Sequence, residues 1–173
     1  MEIISVSFTF FIFMKFVQSQ CYSNFSLLWI FYLYYSQRNY LLPFVVCNHV
    51  GTIVPWYSSW ILDSTIPTRM MTKNNWSLAT FCCGDFVMHI LPCFYLAYKV
   101  VTCHGTIDIS NNYVRYCGLW SLLLHLIWGC SLSPNFDISF LYIPLDFWVC
   151  NLIWMSLTLA HTSTMFFFMH LYK

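Results

Sequence analysis

Residues 41–62 (LLPFVVCNHVGTIVPWYSSWIL) run for 22 positions without an aspartate, glutamate, lysine or arginine, and residues 147–169 do so for 23. A helix needs about 20 apolar residues to cross the hydrocarbon core of a bilayer, so runs of this length constrain the fold more than any other feature. Only 8% of the 173 residues are charged, about a third of the share in an average soluble domain and too few to cover a globule in water. At 60% hydrophobic, the chain also has the opposite balance to a disordered one. The expectation is an all-α, polytopic transmembrane helix bundle forming a single domain over residues 1–173.

Four further segments complete the expected spans. Residues 77–101 carry Asp85 inside and Lys99 near the end, and residues 116–132 are short but within range. Residues 3–17 and 25–35 are the remaining two, which makes five or six spans. The first segment reads either as a helix or as the apolar core of a signal peptide. Glu2, with no basic residue before the apolar run, favours the helix and six spans. Residues 138–145 are apolar but too short to span, and Asp137 and Asp146 flank them. They read as a short interfacial or re-entrant element. Trp56, Tyr57, Trp60, Trp76, Trp120 and Trp148 fall near span ends, where an aromatic belt anchors helices.

The net charge of +1 carries no partner information, and seven basic residues spread over the whole chain cannot make a phosphate-tracking patch, so nucleic acid is not an expected partner. Membrane lipids are, together with other membrane proteins in a complex. Most of the nine cysteines sit inside apolar runs, with no C-x-x-C pair and no Cys/His set at zinc spacing. No metal and no cofactor is expected. The localisation read from this pattern is a multi-pass membrane protein, in the endomembrane system or the plasma membrane. Two N-x-[ST] sequons, at Asn24 and Asn75, are glycosylation candidates.

Ionisable groups at membrane depth mark the candidate site. Each costs about 2.5–3.5 kcal/mol near a helix centre and so normally has a partner or a task. Asp85 is the only carboxylate well inside an expected span, and His89 follows four residues later on the same helical face. Pro92 removes a backbone hydrogen bond nearby and is expected to kink the helix. Asn48, His49, His125, Asn151 and His161 lie on other spans and could line one polar pocket, with imidazole as general base or proton relay. They could equally tie neighbouring helices together by hydrogen bonds. Thr52, one turn from His49, is a candidate nucleophile, although threonines in helices usually bond the carbonyl four residues back. The chain contains no G-x-S-x-G, H-E-x-x-H or glycine-rich phosphate loop.

The order of several short motifs resembles the androgen-induced membrane hydrolase family. They are Arg38-Asn39-Tyr40-Leu41-Leu42-Pro43-Phe44 entering a span, Met88-His89 followed by Leu91-Pro92, His104 in the next loop, Leu126-Ile127-Trp128, and Tyr142-Ile143-Pro144. The resemblance implies a six-span protein that hydrolyses fatty acid esters of hydroxy fatty acids with an intramembrane threonine and histidine. By that likeness His89 is the catalytic histidine. The chain departs from the pattern where the family places its threonine, since Leu42 and Pro43 stand there, and Asp85 replaces an amide.

Three function classes follow. The first is a membrane protein without catalysis of its own, carrying a polar Asp/His site inside the bundle. The second is an intramembrane lipid-ester hydrolase with His89 as base, Asp85 as its orienting partner and Thr52 in place of the family's threonine. The third is a small proton-coupled transporter using Asp85 and the histidines as a relay.

Overall fold

The computed structural model describes residues 1–17, 22–105, 108–132 and 147–171, and all regular structure in it is helical. Helix α1 spans Glu2–Phe16 and α2 Tyr22–Ser36. A 3-10 turn at Asn39–Leu41 leads into α3, Leu42–Leu62, whose first turn holds Pro43. Proline suits that position because its ring presets the helical φ where no N–H is needed. The short α4, Ile66–Asn74, ends where Asn75 takes up a left-handed conformation at φ 54°. Helix α5 runs over Leu78–Cys103, α6 over Asn111–Leu132 and α7 over Phe147–Leu171. Ser77 caps α5 by accepting a hydrogen bond from the Thr80 N–H at 3.1 Å.

Helix α5 is not α-helical throughout. Over Phe86–Ile90 it widens to a π-helical turn, and the Leu91 N–H bonds back five residues to the Phe86 carbonyl. Pro92, one residue further, has no N–H to offer the Met88 carbonyl. A π-helical turn thus lies beside the proline expected to kink the helix.

Helix α3 is the centre of the packing, against α7, α6, α2 and α5. The core beside it is aromatic. Trp29, fully buried, meets Phe44 edge-on with ring centroids 4.6 Å apart and Phe10 at 5.3 Å. The N-terminal end is tied down by Glu2, which pairs with Arg38 at 2.5 Å and accepts hydrogen bonds from Tyr32 at 2.7 Å and from Tyr40.

The expectation of five or six membrane spans does not hold. Among the described residues, two helices are long and apolar enough to cross a membrane by length and composition, Leu78–Cys103 and Asn151–Leu171. A run without charges is not the same as a run of high hydropathy. Helices α1 and α2 have only 15 residues each, and α2 draws its bulk from tyrosine, tryptophan and serine. Helix α3 is long enough, but Asn48, His49, Thr52, Pro55, Ser58 and Ser59 dilute it. Helix α6 opens on Asn111, Asn112 and Arg115. The two qualifying helices associate the chain with a membrane, and both expose large apolar side chains, Phe94 and Val101 on α5 and Met155 and Phe166 on α7. The interfacial or re-entrant element expected at 138–145 lies outside the described residues.

Candidate active site

Asp85 is the hub of the site. Its Oδ1 accepts from the Trp56 indole Nε1 at 2.8 Å and from the His89 ring Nδ1 at 3.0 Å, while its Oδ2 accepts from the Tyr57 hydroxyl at 2.7 Å. A mostly buried carboxylate without such donors would cost several kcal/mol, so these three bonds explain how the chain carries it. Trp56 also stacks on the His89 ring, with centroids 5.4 Å apart and planes 24° from parallel. Trp56 and Tyr57, expected in an anchoring belt, instead hold this carboxylate.

The bond to Asp85 fixes the state of His89. A carboxylate oxygen only accepts, so Nδ1 carries the proton of the neutral ring and Nε2 presents a lone pair. That lone pair faces Ser23 on α2, whose Oγ lies 2.9 Å away and donates to it. Ser23, His89 and Asp85 therefore form a hydroxyl–imidazole–carboxylate relay, the arrangement that activates a serine as nucleophile. Ser23 is 8% exposed and His89 7%, so the relay is screened from solvent but opens onto a cavity.

The cavity has a volume of about 310 Å³, at the lower end of the size typical of ligand sites. Its wall includes Ser23, Asp85 and His89 together with apolar groups from four elements, among them Trp56, Met70, Phe81 and Met88. Gly84 lines it too, and a Cβ there would meet nothing within 4 Å. A mostly apolar chamber with one polar relay in its wall suits a substrate that is largely hydrocarbon around a single reacting polar group.

The other residues singled out from sequence divide among separate networks. Thr52 and His125 line the same cavity, but Thr52 donates to the Asn48 carbonyl at 2.8 Å and lies 3.4 Å from His125 Nε2. Its partners are thus Asn48 and His125, not His89. His125 donates through Nδ1 to the Ser121 carbonyl at 2.9 Å, and the Tyr22 ring lies over it at 4.0 Å. Asn48 is fully buried and accepts from the Tyr22 hydroxyl at 2.7 Å. His49 bonds Ser26 at 3.0 Å and the His89 carbonyl at 3.1 Å. His161 accepts from Ser121 Oγ at 3.0 Å, its Nδ1 being engaged with the Leu157 carbonyl. Asn151 sits on the exposed side of α7, outside the cavity wall.

Of the two sequons, Asn75 is exposed in the turn between α4 and α5, whereas Asn24 lies inside α2 beside the buried Phe25 and Ser26. Among the described residues no group of three or more His, Cys, Asp or Glu side chains gathers to hold a metal ion.

Ser23 and Ser26 were not among the residues expected from sequence. Their one signal is a three-residue spacing that puts both hydroxyls on one face of α2. Comparison with known proteins gives no match to the chain, whether among family models, curated proteins or solved structures.

Proposed function

We propose that this chain is a membrane-associated serine hydrolase acting on lipid esters, with Ser23 as nucleophile, His89 as general base and Asp85 as the group that orients His89. The observation that carries the reading is the unbroken relay from Ser23 Oγ through the His89 ring to Asp85, in the wall of a mostly apolar cavity. The resemblance of Met88-His89 and its flanking motifs to the androgen-induced membrane hydrolases supports the same substrate class, with a serine from α2 in place of the family's threonine.

In the reaction, Ser23 Oγ attacks the ester carbonyl carbon while His89 Nε2 takes the hydroxyl proton. The imidazolium so formed is stabilised by Asp85 and returns the proton to the leaving alkoxide, which departs as an alcohol. Water, deprotonated by His89, then attacks the acyl-serine, releases the fatty acid and restores Ser23. The acyl chain lies against Trp56, Phe81 and Met88. On this reading α5 and α7, which are long and apolar enough to cross a membrane, bring the machinery to the bilayer, where such esters dissolve.

A proton-coupled transporter is less well supported, because Asp85 already accepts from three donors and the chamber beside it is mostly apolar. The test is hydrolysis of a 4-nitrophenyl acyl ester by the purified full chain in detergent. Release of nitrophenolate that disappears in both Ser23→Ala and His89→Ala is expected; equal release by the Ser23→Ala variant defeats the reading.

A further inference from the structure

We infer that His49 is a positioning residue for His89, holding from α3 the backbone of the π-helical turn in which the base sits. The consequence for reactivity rests on the hydrolase reading above; the placement of the ring does not.

The turn Phe86–Ile90 interrupts the α-helical hydrogen bonding of α5. π-Helical geometry is rare, well under 1% of residues, and occurs mostly as single turns at functional sites. Here Pro92 stands two residues after its end and withdraws one more backbone donor. The general base lies inside this stretch, so its ring stays in line with Asp85 and Ser23 only if the local backbone is fixed from outside the helix. The His89 carbonyl receives that support. From α3 it accepts a bond from His49 Nε2 at 3.1 Å, beside the bond of the Cys93 thiol at 3.0 Å from within α5.

His49 is itself fixed. A carbonyl only accepts, so Nε2 of the neutral ring carries the proton and Nδ1 accepts from Ser26 Oγ at 3.0 Å. Both residues are 1% exposed, which shields both bonds from bulk solvent. Ser26 lies three residues after Ser23 on α2. Helix α2 thus reaches α5 at two points, through Ser23 to the His89 side chain and through Ser26 and His49 to the His89 backbone. The nucleophile and the support of its base are set by the same helix face, which fixes their separation.

The test compares the full chain in detergent with its His49→Phe, His49→Gln and Ser26→Ala variants by two readouts. One is the rate at which a fluorophosphonate modifies Ser23. The other is the downfield NMR proton signal of His89 Nδ1–H, which reports its bond to Asp85 whether or not the chain is an enzyme. A glutamine amide can still donate to the His89 carbonyl, whereas phenylalanine fills the space and donates nothing. His49→Phe is expected to shift or broaden the His89 signal and to slow modification about 100-fold, the size of effect that a displacement near 1 Å produces. His49→Gln is expected to restore both in large part, and Ser26→Ala, which frees the His49 ring, to give a smaller loss. Wild-type signal and rate in His49→Phe overturn the inference, and so do equal losses in the Phe and Gln variants, which mark a packing role. If wild-type Ser23 is not modified while the His89 signal still responds to His49→Phe and recovers in His49→Gln, the positioning stands and the hydrolase reading falls.

Discussion

The Ser23 hydroxyl and the His89 ring meet at 2.9 Å although they are 66 positions apart, on α2 and α5. Neither helix alone contains the relay. Asp85 and His89 share a face of α5, and α2 brings a hydroxyl to the open nitrogen. The site is therefore a property of the packing of α2 and α5 around α3.

Asp85→Asn tests the carboxylate. An amide offers one acceptor and one donor where the native residue accepts from Trp56, Tyr57 and His89. The amide oxygen can keep Trp56 and His89 only if the amide N–H turns to the Tyr57 hydroxyl, which must then accept instead of donate, and all three bonds lose their charged acceptor, at a cost of about 1–3 kcal/mol in stability. The imidazolium formed during the reaction also loses the negative charge that stabilises it, and ester turnover is expected to fall by about 10⁴-fold, as in other relays of this kind. Thermal unfolding and turnover, measured on the same preparation, separate the two effects.

Trp56→Phe is a milder change. It keeps a ring stacked on His89 and removes only the indole N–H that bonds Asp85. Hydrogen bonds to charged groups contribute about 1.5–3 kcal/mol, so Tm is expected to drop, with turnover reduced far less than in Asp85→Asn. Turnover as low as in the aspartate variant would show that Trp56 does more than hold the carboxylate.

Two glycines should respond in opposite ways. A Cβ at Gly51 would run into the His161 ring and come within 3.0 Å of His125 Cε1. Both rings are held by Ser121 and have little room to yield, so Gly51→Ala is expected to destabilise the protein by about 1–3 kcal/mol. Gly84→Ala adds a methyl to open space and removes a flexible helix residue, a gain of about 0.5–1 kcal/mol. Unfolding curves of the two variants in the same detergent provide the comparison.

The N-terminal tie should be acid-labile. Burial opposes ionisation of Glu2, but hydrogen bonds from Tyr32, Tyr40 and Arg38 outweigh it and hold the carboxyl below its ordinary value. A group whose folded-state value is depressed stabilises the fold above its unfolded value and loses that contribution as pH falls through the folded one. Stability is thus expected to decline on acidification through the carboxylate range and, in Glu2→Gln, to show a weaker dependence over that window. Unfolding of both proteins followed from neutral pH downward tests the difference.

Much of the relay along α5 was legible in the sequence because its geometry is local. Asp85 and His89 lie four residues apart, and any helix sets such a pair side by side. Pro92 likewise signalled a disturbed helix, though not its π-helical form. Ser23 was not legible, because a serine in an aromatic segment carries no mark of the helix it will face. The role of Trp56 and Tyr57 is hidden for a related reason: aromatic residues near a helix end fit a membrane belt, and only the fold reveals that their polar atoms point at Asp85. Charge-free runs imply more spans than the two candidates among the described residues, because absence of charge is not hydropathy. In α2 and α3 the uncharged residues include many tyrosines, tryptophans, serines and amides, which pack and hydrogen-bond within the protein.

The central claim is that Ser23 is a nucleophile activated by His89. Its most direct test is to treat the full chain with a fluorophosphonate and map the adduct by mass spectrometry. A single adduct on Ser23, absent from Ser23→Ala and strongly reduced in His89→Ala, is the predicted result. No adduct, one on Thr52 or Ser26, or one on Ser23 that forms equally fast without His89 would contradict it.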